Sequence, residues 1–508
     1  MQTIKDTFDH DEPELNQSER KLDAYMSACR DEMIQQKYVY SMYPPVSPFY
    51  KVREQIEADP LLKVFHNMPK GGNLHIHTSA TYNAEKFVNM LRTDSQINGK
   101  AVIYLGENTS TFLPYQLFFI EDPSLVNNAK GFFYLNDVIT KGKLSEQTLI
   151  SMLTMSDDRI DKVDYIWDEF NNIFSRVSPI MKTRAVFKQY YTEALADLAE
   201  DNIDYVEIRF GPGVLVDNND MLIRDNVACE NILIGAFPPE DNIESIELFR
   251  EAYYEVRKCN TDFTVKLILS GSRKKIPGET EEEAIKNAVD DMKKTQCWKN
   301  LIKDEFESSN PVEFIIGYDL VSEEDRGYRT EAYAEAIYSN NITVPFYFHD
   351  GESSWADNDN LYAAYLLSTK RVGHGINLFR FPAVMQNVVE NDVALEVCPI
   401  SNQLLRYTPD LRMHPIGEFL KRGVQCVICS DDPQIFNYSG LCYDFLEIYY
   451  ALLIDLKSVK KLIKNSYIYS GMTEDLEIPM KIREWQIKWD DFVAKSIAWI
   501  ACKKNERG

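Results

Sequence analysis

Seven histidines occur in the 508-residue chain, and four of them, His75, His77, His349 and His374, stand at or near the ends of short apolar segments. A lone histidine there is most often a satisfied core or loop residue, whereas four of them together with Asp431 and Asp432 point to a shared site. In His75-Ile76-His77 the two-residue period of a strand turns both imidazoles to one face, so a single ion can reach both. Three imidazoles and a carboxylate, from His75, His77, His349 and Asp431, with one position left for water, describe a catalytic zinc site that makes hydroxide near neutral pH. Two further titratable groups lie beside them. Glu352, in HDGE, can protonate a ring nitrogen of a substrate, and His374, in RVGHG, can orient and deprotonate a water. Their ordinary alternatives are a surface-loop glutamate and a capping histidine.

Such residues act together only if the chain brings strand ends to one place. Eight apolar, β-branched segments are candidates: 73–79, 205–211, 264–270, 312–320, 344–350, 371–377, 394–401 and 424–432. Stretches of helical period separate them, as in TEEEAIKNAVDDMKKTQ and TEAYAEAIYSN, so the expected architecture is α/β, a (β/α)8 TIM barrel with its site at the C-terminal strand ends. The alternative, a doubly wound open sheet, needs a Gly-rich phosphate turn after its first strand, and none is present.

The gap of more than a hundred residues between the first two segments is too long for a simple βα connection, which implies an insertion after strand one. The expected organisation is an N-terminal helical arm (1–66), the first barrel strand (67–80), an inserted subdomain (81–150), the catalytic barrel (151–470), and C-terminal helices and tail (471–508).

Composition narrows the function classes. A net charge of −24 disfavours nucleic-acid partners, which are held largely through Lys and Arg. No window approaches a membrane span, and the opening residues show no signal-peptide core. The nine cysteines do not read as a disulfide scaffold, and the four sequons, at Asn16, Asn108, Asn341 and Asn437, are weak evidence for secretion.

MPKGGNLHIHTSA, YVEIRFGPG, DLVSEEDRG, FHDGES, RVGHG, EVCPISNQLL, DLRMHPI and CSDDPQIF, in this order, resemble the metal-dependent adenosine deaminases. MPKG before HxH, CPISNQ followed by DLRMHPI, and the long insert resemble the adenosine deaminase growth factor branch. The resemblance implies Zn2+ on His75, His77, His349 and Asp431. It also implies that Glu352 protonates purine N1, His374 positions the hydroxide that attacks C6, Asp432 bonds N7, and the Ser322 backbone N–H faces N3. The implied reaction turns adenosine into inosine and ammonia. For Trp167 two readings stay open, a place near the ribose or a core position with Phe170 and Phe174.

The sequence departs from the family around the sugar. Thr78-Ser79 replaces an acidic residue, Ser322 a glycine, Asp350 the small residue of HAGE, and Ser272 a histidine. Thr78 is accordingly expected to contact substrate. Arg273-Lys274-Lys275 reads either as a solvated basic loop or as a 5′-phosphate site at the mouth, and Cys426 and Cys429 read as buried packing residues. Competing functions are a deaminase of 5′-modified adenosine or AMP, and a weakly catalytic growth-factor-like adenosine-binding protein. The expected partner is a small purine nucleoside, with no nucleic acid and no membrane. The arm resembles the family's dimerisation arm and implies a homodimer. Compartment stays open: the branch is usually secreted, yet residues 81–165 contain no cysteine and no leader is visible.

Overall fold

The apolar segments pair in parallel as strands buried on both faces, which is why they lack the apolar–polar alternation of a half-exposed sheet. In the computed structural model, which describes residues 12–37, 43–109, 112–216, 243–306 and 311–506, the eight barrel strands are β1 (Gly71–His77), β2 (Ile203–Phe210), β3 (Thr264–Ser272), β4 (Ile315–Val321), β5 (His349–Asp350), β6 (Arg371–His374), β7 (Ala394–Val397) and β8 (Cys426–Ile428). They form two four-stranded parallel sheets, β1-β2-β3-β4 and β5-β6-β7-β8. Two seams join the sheets into a ring. At one, Ile76 of β1 bridges Asp431, just past β8. At the other, Tyr318 of β4 bridges Phe346, just before β5. This is the (β/α)8 barrel expected from the sequence.

Several strands are shorter than their apolar segments, for local reasons. β7 stops at Val397 because Pro399 opens the helix Pro399–Leu404, proline being suited to the first helical position. Before β5, Pro345 offers only its carbonyl, which accepts from Tyr318 N at 2.9 Å, while Tyr347 N donates to Tyr318 O at 3.0 Å. At this seam a Cβ on Gly317 would stand 2.4 Å from both Pro345 O and the Tyr347 ring, so only glycine allows the two sheets to close.

Within the insertion, Ala101–Tyr104 is the middle strand between Leu117–Phe119 and Phe132–Tyr134, all antiparallel. Val102, Tyr104, Phe118, Ile120, Val126 and Phe132 give this sheet its own small core. Ile166–Met181 then forms a helix, and the N-terminal helix Gln17–Lys37 lies against the C-terminal helix Glu477–Glu506. Residues 1–11 and 38–42 of the expected N-terminal helical arm lie outside the described residues. No helix among the described residues is long and apolar enough to cross a membrane.

One buried carboxylate ties the N-terminal helix to the barrel. Glu19 accepts from Lys460 Nζ and Trp489 Nε1, each at 2.8 Å, and all three side chains are out of solvent. Glu19→Ala would leave the Lys460 ammonium in a poorly compensated buried position. We expect a loss of about 3 kcal/mol in denaturant unfolding, as for other broken buried pairs; a parental midpoint would show that the helix is not held through this contact.

Candidate active site

β1 ends in His75 and His77 with Ile76 turned into the core between them, and β5 opens with His349. Their Nε2 atoms converge: His75 to His77 is 3.2 Å and His77 to His349 is 3.1 Å. Asp431 Oδ1 completes the group at 3.3 Å from His75 Nε2 and 3.1 Å from His77 Nε2. For an ion with tetrahedral ligands at about 2.0–2.1 Å, neighbouring ligand atoms stand about 3.3 Å apart, and these four separations, all from His77 or Asp431, match that spacing.

The other ring nitrogens explain why lone pairs face inward. His75 Nδ1 donates to Glu396 Oε2 at 2.8 Å, and His349 Nδ1 donates to Asp319 Oδ2 at 2.6 Å. A neutral ring with Nδ1–H so engaged presents a bare lone pair at Nε2. Burial disfavours the imidazolium of His349, pushing its pKa down to about 4 despite Asp319, and burial likewise lowers His77. At His75 burial works in the same direction but is outweighed by Asp431 and Glu396, so its pKa is raised. Asp431 is held well below the usual carboxylate range: the nearby imidazoles of His75 and His77 outweigh the effect of burial. Converging lone pairs and a carboxylate repel one another unless a cation lies between them, so the donor set fits a metal.

His374 and Glu352 stand beside this shell. His374 ends β6 with φ +64°, and its Nε2 is 3.9 Å from Asp431 Oδ2. Gly373 before it lets the rings crowd together, since a Cβ there would meet His75 Cε1 at 3.2 Å. One donor atom from each of His75, His349, His374 and Asp431 lies within 4.8 Å of the others, and the same is true of His77, Asp431 and Asp432. Glu352 Oε1 is 3.4 Å from His374 Nδ1. Burial, reinforced by Asp431 and Glu324, drives the Glu352 pKa well above the usual range and keeps it a neutral acid. Burial and the adjoining Asp431 do the same for Asp432, whose Oδ1 has no hydrogen-bond partner within the protein.

The remaining expected residues are placed differently. Ser322 sits at the end of β4 with φ +86°, a conformation natural to the glycine it replaces, and its Oγ is 2.8 Å from Ser272 Oγ. Thr78 begins the short turn Thr78–Ala80, and its carbonyl accepts from Thr81 Oγ1 at 3.4 Å. Trp167 is buried against Phe170, with Nε1 donating to Tyr407 Oη at 2.9 Å. Arg273 corrects both readings of the basic loop, since it is fully buried and reachable neither by solvent nor by a phosphate at the mouth. Its Nη2 donates to Asp350 Oδ1 at 3.0 Å and His349 O at 2.6 Å, and its Nη1 to Thr330 Oγ1 at 3.1 Å. The two lysines that follow remain exposed.

Residues with no role in the sequence reading hold these groups in place: Asp319, Glu396, Arg209, Arg371, Asn402 and His414. The signal for the first four was a charged residue inside an otherwise apolar strand segment, as in YVEIRFG or ALEVCPIS. Asn402 and His414 stood inside CPISNQ and DLRMHPI, where nothing in the spacing joins them.

A parallel eight-stranded barrel with a histidine–aspartate donor set at its strand ends defines a metal-dependent hydrolase of the (β/α)8 class. The adenosine deaminase family profile matches residues 143–467, more than half of the chain, and the chain belongs to that family; it is a deaminase. Similar curated proteins include adenosine deaminase 2 of Dictyostelium discoideum, 29% identical over 88% of this chain and 77% of the relative. Adenosine deaminase 2 of Homo sapiens is 26% identical over 89% and 84%, and an adenosine deaminase of Phlebotomus duboscqi is 28% identical over 89% and 82%. These relatives agree with the growth factor branch expected from the motifs.

Among solved structures, a zinc-bound amidohydrolase from Burkholderia ambifaria has the same fold, with TM-score 0.55 and 14% identity over 86% of this chain and 94% of that one. Adenine deaminase from Arthrobacter aurescens matches at TM-score 0.53 and 16% identity over 85% and 99%.

The Arg273–Asp350 pair is testable. Arg273→Met strands a buried carboxyl and should cost about 3–5 kcal/mol in denaturant unfolding, and adding Asp350→Ala should recover most of it. Additive losses would mean that the two side chains do not depend on each other.

Proposed function

We propose that the chain catalyses zinc-dependent hydrolytic deamination of adenosine, and of 2′-deoxyadenosine, to the corresponding inosine and ammonia. The observation that carries this reading is the convergence of His75 Nε2, His77 Nε2, His349 Nε2 and Asp431 Oδ1 on one point beside the buried Glu352, whose pKa burial raises well above the usual range. Zn2+ held by these four residues would lower the pKa of a water to about 7. The other steps belong to the chain's own side chains. Glu352 delivers its proton to purine N1, which makes C6 electrophilic. His374 orients the water that adds to C6. Asp432, kept neutral by burial and with an unpaired oxygen, bonds the acceptor N7 through its carboxyl proton. Ser322 presents its backbone N–H to N3. Collapse at C6 expels ammonia: one proton of the added water passes to the amino group, and the other returns from the C6 hydroxyl to the Glu352 carboxylate as the C6 carbonyl forms.

The enclosed position of Arg273 removes one cation that could have met a 5′-phosphate, and so favours nucleosides over AMP. Trp167 and Thr78 are assigned to the ribose side, Trp167 through the Tyr407 hydroxyl it holds.

Ammonia release and the loss of adenosine absorbance from purified protein test the reaction, and metal analysis should find about one zinc per chain. Chelation should abolish turnover and zinc should restore it; full activity of a metal-free preparation would refute the assignment. Glu352→Gln should keep its metal yet lose about 10²-fold or more in kcat, whereas loss of the metal would make Glu352 a ligand. In a substrate panel kcat/KM should be higher for adenosine than for AMP, and the reverse order would overturn the nucleoside reading.

A further inference from the structure

Asn402 is fully buried at the far side of the candidate acid and its neighbouring histidine. Its Nδ2 lies 3.0 Å from Glu352 Oε1 and 3.2 Å from His374 Nδ1, while its Oδ1 lies 3.1 Å from His414 Nε2. The direction of this chain is fixed from its outer end. Ile416 N donates to His414 Nδ1 at 3.1 Å, so Nδ1 is an acceptor and the single proton of a neutral ring sits on Nε2. Burial keeps that ring neutral, with its pKa pushed down to about 3. His414 Nε2–H therefore donates to Asn402 Oδ1, and the amide cannot turn over without setting donor against donor. Both N–H groups of Asn402 are thereby aimed at Glu352 and His374. Donation to His374 Nδ1 leaves the His374 ring proton on Nε2, the nitrogen that faces Asp431.

Resting on the roles proposed above for Glu352 and His374, we infer that Asn402 is a positioning residue, oriented by His414, that sets the acid and the water-orienting imidazole relative to each other. Its contacts on the active-site side are to those two side chains. The motifs CPISNQ and DLRMHPI, twelve residues apart at Asn402 and His414, thus form one device.

The test is a double-mutant cycle read in steady-state kinetics on adenosine with the metal-loaded, full chain. Asn402→Ala should lower kcat about 10- to 100-fold, as expected for loss of a hydrogen bond to an ionisable catalytic group, with KM changed less than about threefold and zinc content parental. His414→Ala should also lower kcat, and the double variant should be no slower than Asn402→Ala alone, because His414 acts through Asn402. A purely structural contact would leave kcat near the parental value in folded protein, or make the two losses multiply, and either result overturns the inference. Should Asn402→Ala fail to fold, Asn402→Asp keeps the shape and replaces the donor by an acceptor. It should lose at least as much kcat, and parental kcat would again overturn the inference. A parent protein that releases no ammonia from adenosine refutes the proposed function and this reading with it, whereas an active parent indifferent to Asn402 refutes this one alone.

Discussion

The carboxylate of Glu396, in the middle of the barrel, is shared by three cations or donors. Its Oε2 accepts from His75 Nδ1 and Arg209, and its Oε1 accepts from Arg371 Nε at 2.7 Å. Arg209 continues to Asp319 at 3.2 Å, Asp319 holds His349, and Arg371 reaches Glu207. All of these side chains are out of solvent, so each charge survives only because the next one answers it. Three carboxylates against two guanidiniums leave one excess negative charge, and Asp431 adds a second. A divalent cation among the Nε2 atoms matches that excess. The network therefore does two jobs at once: it fixes the tautomers of two candidate ligands and gives the barrel interior the charge that a metal completes.

Asp431 links this electrostatics to the closure of the fold. Its backbone N donates to His75 O at 3.0 Å, its backbone O accepts from His77 N at 3.1 Å, and these two bonds are the seam between β8 and β1. With φ at +61° the chain turns there and delivers the carboxylate to the histidines of the neighbouring strand. Ser322 and His374 adopt similar left-handed conformations at the ends of β4 and β6. Non-glycine residues in that region cost of order 1–3 kcal/mol each and persist where the surroundings over-determine them. Their clustering at one mouth of the barrel shows that strand ends here are shaped by the site and not by sheet geometry alone.

The strands, and the side chains that converge as candidate metal donors, were legible in the sequence because each is a local signal. Apolar β-branched runs announce buried strands, and His75-Ile76-His77 announces a shared face. Strand limits were less legible: Pro345, Pro399 and the left-handed turn at Asp431 cut the apolar segments short, so that pairing ends before hydrophobicity does. The supporting groups were legible only as anomalies. Glu207 and Arg209 in YVEIRFG, Asp319 and Glu396 sit in strands that apolar burial alone would fill with valine and isoleucine, yet their partners in the network lie 25 to 321 residues away. Pairings at that separation have no periodicity to betray them. Asn402 and His414 were hidden for the same reason, joined by a turn whose shape no residue spacing encodes.

Arg273 and Asp350 show how a substitution beside the site can be absorbed from behind. A carboxyl at position 350, next to the candidate ligand His349, would by itself add negative charge to an interior already in excess. The Arg273 guanidinium lies against it and also grips the His349 carbonyl, so the added charge is answered by a buried cation. Burial still raises the Asp350 pKa to about 6, and its Oδ2 finds no partner, so the compensation is incomplete. Glu324, which accepts the Glu352 backbone N–H at 2.9 Å, is pushed up to about 8 by burial and by Asp350. The candidate acid Glu352 is therefore backed by a Glu324 carboxyl that burial keeps largely protonated, and a site at the centre of a strongly acidic chain retains a proton to give.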